Sequence, residues 1–128
     1  MHERAATILI VDDEDLVRRL CVRYLTEAGY RVAEAPNGHE ALERLGEGCP
    51  DLLITDSSMP ELDGVGLILE ARSRYPAIRV LRMSGSYGSS GSRDQVPPDI
   101  MTLDKPFGSE VLLAAVTGLL KPAPADPQ

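Results

Sequence analysis

The chain has 128 residues, the size of one domain, and enough material for one hydrophobic core. A net charge of −7, a single Phe and no Trp argue against a basic nucleic-acid surface or a base-stacking platform. No apolar stretch is long enough to cross a membrane, and no basic start leads into an apolar segment, so a soluble, cytoplasmic protein is expected. Residues 1–6 read as a polar lead-in. Residues 7–11 (TILIV) are too apolar for a half-exposed strand and read as a buried parallel one. Residues 12–15 carry acids that can cap and start a helix. Val17, Leu20, Cys21, Tyr24, Leu25 and Ala28 then follow at helical spacing, and Gly29 stops the helix. Residues 30–35 read as a second strand. Asn37 with Glu40 forms a capping-box-like start for a helix through Ala41, Leu42 and Leu45, with Gly46, Gly48 and Pro50 to break it.

Residues 51–55 (DLLIT) give a third strand, and 56–62 a loop carrying Met59 and Pro60. Asp63 can cap a helix to about Tyr75, with Pro76 just beyond. Residues 78–83 and 100–103 read as the fourth and fifth strands. Phe107 leads into a last helix through Val111, Leu112, Ala115, Val116 and Leu119. The segment between the last two strands, 84–98, reads SGSYGSSGSRDQVPP, and its Ser, Gly and Pro oppose a stable helix. A short helix, a mobile one or a loop is expected there, and the proline-rich 121–128 is expected to be disordered. Strands alternating with helices five times imply an α/β fold with a parallel sheet covered on both faces.

That fold gives four residues their meaning. Asp12, Asp13, Asp56 and Lys105 each follow an apolar run, and the carboxyl ends of parallel strands converge on one crevice. Carboxylates so close repel one another unless a hard divalent cation lies between them. A cation and a lysine beside one carboxylate make a place to hold a phosphoryl group, which points to phosphoryl chemistry on an aspartate. His2 and His39 read as exposed, with no ligand role. Cys21 lies on an apolar helix stripe and reads as core; neither it nor Cys49 has metal-ligand spacing.

Four motifs in order, ILIVDDE, LLITD with MPELDG, VLRMSG and DKPF, resemble the bacterial response-regulator receiver domain over about residues 7–120. The resemblance implies a doubly wound, flavodoxin-like (βα)5 fold with strand order 2-1-3-4-5. It implies that Asp56 accepts a phosphoryl group from a phosphohistidine on a sensor histidine kinase or histidine phosphotransfer protein. Asp13, Asp56 and the backbone carbonyl of Ser58 would bind Mg²⁺, with Asp12 in the same shell. Lys105 would pair with the phosphoryl oxygens, Ser84 would report their arrival, and the Lys105–Pro106 bond would be cis. The implied module catalyses only its own phosphorylation and dephosphorylation, is a monomer or weak dimer, and passes its signal to a further protein.

One position departs from the family pattern. Three residues before the lysine the family usually has an aromatic switch, and here it is Thr102. This keeps open a receiver-shaped interaction module that is not controlled by phosphate. A small aspartyl phosphatase is disfavoured, because the second Asp such enzymes carry is Ser58 here. A nucleotide-binding flavodoxin-like protein is disfavoured too, because no phosphate loop follows the first strand.

Overall fold

The three central strands form because their residues are mostly branched and apolar and are buried over nearly their whole length, whereas the two outer strands are more polar and partly exposed. A computed structural model describes residues 5–56, 64–84 and 99–120. In chain order they form β1 (Thr7–Val11), α1 (Asp15–Glu27), β2 (Arg31–Ala35), α2 (Gly38–Glu47), β3 (Leu52–Asp56), α3 (Gly64–Arg74), β4 (Arg79–Ser84), β5 (Met101–Asp104) and α4 (Ser109–Leu120). The five strands make one sheet in the order β2-β1-β3-β4-β5, and every pairing is parallel. The expected architecture and strand order are therefore present. The expected short or mobile helix between β4 and β5, the lead-in at 1–4 and the tail at 121–128 lie outside the described residues.

Alternation along each strand divides the core in two. Ile8, Ile10, Leu52, Ile54, Leu81 and Met83 pack with Cys21 and Leu25 of α1 and with Leu112 and Val116 of α4. Leu9, Val11, Leu53 and Val80 face the other way, onto Ala41 and Leu45 of α2 and Leu67, Ile68 and Ala71 of α3. Both faces of the sheet are thus covered. Burying one such Leu or Ile side chain contributes roughly 1.5–3 kcal/mol, so this layering dominates the stability. Among the described helices, none is long and apolar enough to cross a membrane.

Several helix details differ from the sequence reading. Gly29 does end α1, at φ +103°, with Gly29 N–H donating to Thr26 O and Tyr30 N–H to Leu25 O. At the other end the N-cap is Glu14, which makes no side-chain capping bond. Asp12 does not cap α1, because its carboxylate turns back to accept from Glu14 N–H at 2.9 Å and stays in the crevice. Leu20 does not join the core; it is 39% exposed, and Arg18 takes a buried place on that helix. Val111 of α4 is likewise exposed. α2 begins as expected, with Asn37 Oδ1 accepting from Glu40 N–H at 2.8 Å. It passes through Gly46, however, and stops at Gly48 with φ +156°. A single glycine costs a helix only about 1 kcal/mol, and the buried Leu45 anchors that turn.

β3, β4 and β5 each end one residue later than their apolar runs suggest. Asp56, Ser84 and Asp104 are therefore the last residues of their strands rather than the first of their loops. The ladder fixes their heights, with Asp56 opposite Met83 and Ser84 opposite Asp104. Strand hydrogen bonding thus holds the carboxyl edge of the sheet rigid, and the chemistry-bearing residues stand on that edge.

Candidate functional site

Lys105 comes directly after β5, followed by a cis bond to Pro106, and its N–H donates to Ser84 O at 2.7 Å. That bond ties the start of the loop to the end of β4. The side chain then reaches across the sheet edge. Its Nζ lies 3.0 Å from Asp12 Oδ2, 3.2 Å from Asp56 Oδ1 and 3.2 Å from Glu14 Oε1. Asp12 is fully buried and Asp56 is 5% exposed. Oxygens of Asp12, Asp13 and Asp56 lie within 4.8 Å of one another. Asp12, Asp13, Asp56 and Lys105 are therefore gathered as the sequence suggested. Ser84 is buried at the same edge, one residue beyond the ladder partner of Asp56. Ser58 lies outside the described residues, as do Met59, Pro60 and Asp63.

Charge is unbalanced in this crevice. Burial pushes Asp56 up to about 6; Lys105 opposes the rise, and the negative charges of Asp12 and Asp13 add to it. Burial also raises Asp12, against its hydrogen bonds from Glu14 N–H and Lys105. For Lys105, burial disfavours the ammonium, but the bond to Asp12 and the charges of Asp12 and Asp56 outweigh it, so its pKa rises. These directions agree with one picture, in which one ammonium faces more carboxylates than it can neutralise. Two buried carboxylates and the exposed Asp13 are hard oxygen donors, and they suit a small divalent cation such as Mg²⁺.

Two residues of the corner escaped the sequence reading. Glu14 closes the third side of Lys105, and the DDE run was its signal. Arg18 binds the backbone carbonyl of Asp12 at 2.8 Å; its signal was a cation spaced three and seven residues before the buried Cys21 and Leu25. Cys21 itself is core, its thiol pushed up to about 11 by burial. Arg82, an oddity within an apolar strand, is buried and donates from Nε to Thr102 Oγ1 at 3.2 Å. That polar pair occupies neighbouring strands at the position where an aromatic residue is usual.

Residues 8–117 match the sequence profile of the response regulator receiver domain. The chain belongs to that family. Receiver domains are the phosphoacceptor modules of two-component signal transduction, and this chain is one. Sensor kinase CckA of Brucella abortus (strain 2308) is 40% identical over 121 residues, which are 91% of this chain but 13% of the kinase. Response regulator receiver protein CpdR of the same organism is 35% identical over 114 residues, 88% of this chain and 95% of that protein. The chain thus spans a small part of one relative and nearly all of another. Among solved structures, the receiver domain of the hybrid histidine kinase CckA superposes with a TM-score of 0.77 at 35% identity, covering 90% of this chain and 99% of that one.

Proposed function

We propose that Asp56 is the phosphoacceptor of this receiver domain, within a unit spanning residues 7–120. It receives its phosphoryl group from a phosphohistidine on a sensor histidine kinase or a histidine phosphotransfer protein. The observation that carries this reading is Lys105 Nζ, 3.2 Å from Asp56 Oδ1 and 3.0 Å from Asp12 Oδ2. Asp56 attacks as the carboxylate, and with a pKa of about 6 it is ionised at neutral pH without a separate base. Lys105 then turns from its carboxylates toward the incoming phosphoryl oxygens, whose charge it offsets. The O–P bond forms as the P–N bond of the donor imidazole breaks.

Asp13, Asp56 and the Ser58 carbonyl would hold Mg²⁺, and bound Mg²⁺ supplies the positive charge that lets an anionic carboxylate meet an anionic phosphoryl group. Asp12 suits an indirect role, since both of its oxygens already accept bonds, from Glu14 N–H and Lys105 Nζ. Ser84, at the end of β4, binds the transferred group and reports it. The activity is confined to self-phosphorylation and its reversal. The output is a contact with a further protein; 20 acidic against 13 basic residues support a protein rather than a nucleic-acid partner. The protein acts in the cytoplasm as a monomer or weak dimer.

Intact-mass measurement after incubation with acetyl phosphate and Mg²⁺ tests this. The native chain gains a labile phosphoryl adduct, and Asp56→Asn gains none. A folded native chain that takes no adduct would make it a receiver-shaped interaction module instead.

A further inference from the structure

Arg18 is a cation at a costly address. Its residue is 8% exposed, and it sits in the first turn of α1, where the helix dipole disfavours positive charge. Nothing in helix formation calls for it there. Its guanidinium is nevertheless fully used on three sides. Nε donates to Glu34 Oε1 on β2, Nη1 to the backbone carbonyl of Asp12 and Nη2 to Asp15 Oδ1, each at 2.8 Å. The planar guanidinium holds its donors in fixed directions, so it fixes these three acceptors in one arrangement, which a rotatable ammonium does not.

Asp12 is thereby held at every polar atom. Its N–H donates to Ala35 O at 3.2 Å, and its carbonyl accepts from Arg18. Oδ1 accepts from Glu14 N–H at 2.9 Å, and Oδ2 from Lys105 Nζ at 3.0 Å. Of these restraints, the one on the carbonyl is the only one supplied by a side chain from outside the crevice. The Asp12 carbonyl belongs to the peptide bond that leads into Asp13, so its orientation sets the direction in which the next carboxylate leaves the strand.

We propose that Arg18 is a positioning residue for the acidic corner, acting through the Asp12–Asp13 peptide to hold both carboxylates where a divalent cation needs them. The inference rests on the reading of that corner as a Mg²⁺ and phosphoryl site. Glu34 and Asp15 serve as the anchors of the guanidinium. Arg18 touches neither the metal nor the phosphoryl group.

Mg²⁺ affinity by calorimetry on the full chain, at fixed pH and ionic strength, tests this alongside thermal melting. Arg18→Lys keeps the charge but loses the fork, and Mg²⁺ binding is expected to weaken about tenfold. Leu25→Val loosens α1 without touching the guanidinium, and it should lower the melting temperature while leaving Mg²⁺ affinity in place. Should Arg18→Lys fail to fold, Glu34→Gln removes the charge of one anchor but leaves an acceptor oxygen, and it is expected to weaken Mg²⁺ binding about threefold, less than full loss of a supporting contact, with the fold retained. Unchanged affinity in a folded Arg18→Lys, or an equal loss in Leu25→Val, would overturn the positioning role. So would unchanged affinity in Glu34→Gln, when that variant is the one used. A native chain that binds no Mg²⁺ and takes no phosphoryl group would overturn the site reading itself, and the inference with it.

Discussion

The buried Arg18 and the partly buried Lys105 lie at the carboxyl edge of this sheet, each facing three oxygens, and they are built to different ends. Arg18 meets two carboxylates and one carbonyl, and both of its acidic partners reach solvent. Lys105 meets three carboxylates, of which Asp12 and Asp56 are buried. Around Arg18 the carboxylates can share their charge with water, so the cluster is satisfied as it stands. Around Lys105 the negative charge exceeds what one ammonium neutralises, and burial traps the excess. The first cluster is a brace, whereas the second awaits positive charge. Similar residue types serve structure or chemistry according to how the charge closes.

Removing Lys105 gives the largest test of that contrast. Lys105→Ala should slow phosphorylation by acetyl phosphate about 100-fold, the usual scale for losing one charge-stabilising group. It should also destabilise the fold at pH 7 by about 3 kcal/mol, because the buried Asp12 and Asp56 lose the cation between them. Urea unfolding with and without Mg²⁺ reads the second effect, and Mg²⁺ should recover part of it. A loss that Mg²⁺ does not touch would mean that Lys105 is a brace like Arg18.

The pH dependence of stability comes next in size. The Asp56 pKa rises from an ordinary 3.8 to about 6 on folding, so the folded state binds the proton more tightly than the unfolded chain. That contribution is whole below about pH 4 and is lost as pH rises through about 6. In EDTA, the native protein should therefore lose on the order of 2–3 kcal/mol between those values through this group. Asp56→Asn should flatten that part of the curve and be the more stable protein at pH 7. A native curve that climbs across the same window would show that the excess charge around Lys105 is not trapped. The Arg18 cluster offers the opposite expectation. Asp15→Asn should cost about 1 kcal/mol, and added Mg²⁺ should recover none of that cost.

The parallel sheet and the gathering of Asp12, Asp13, Asp56 and Lys105 were legible from the apolar runs, since those at 7–11, 52–55 and 100–103 each lead to one of these residues. The motifs that resemble a receiver domain added strand order and chemistry. Less legible was whatever depends on how charges close in space. Glu14 read as one more acid in a run, yet it faces Lys105 across a separation of 91 residues. Arg18 shares a helix face with Cys21 and Leu25, and a face assigned by its apolar members passes over a buried cation. Leu20 was placed in the core by the same logic, though α1 turns it toward water. Arg82 stands in an otherwise apolar strand because Thr102, opposite it in the ladder, accepts from its Nε. Strand periodicity tells which face a side chain takes but not which polar partner waits there.

The smallest effect isolates burial from pairing. Arg23 lies on the same helix as Arg18 and pairs with Glu27 at 3.2 Å, four residues on. Its side chain is 71% exposed, against 9% for Arg18. Water already solvates both members of the Arg23 pair, and ordering two long side chains consumes most of the remaining attraction. Arg23→Ala should therefore cost no more than about 0.5 kcal/mol, should fall toward zero at high salt, and should leave Mg²⁺ affinity unchanged. Chemical unfolding at low and high salt, beside Arg18→Lys, makes the comparison within one helix. Equal losses for the two arginines would mean that pairing alone, and not the closed, buried geometry at Asp12, gives Arg18 its weight.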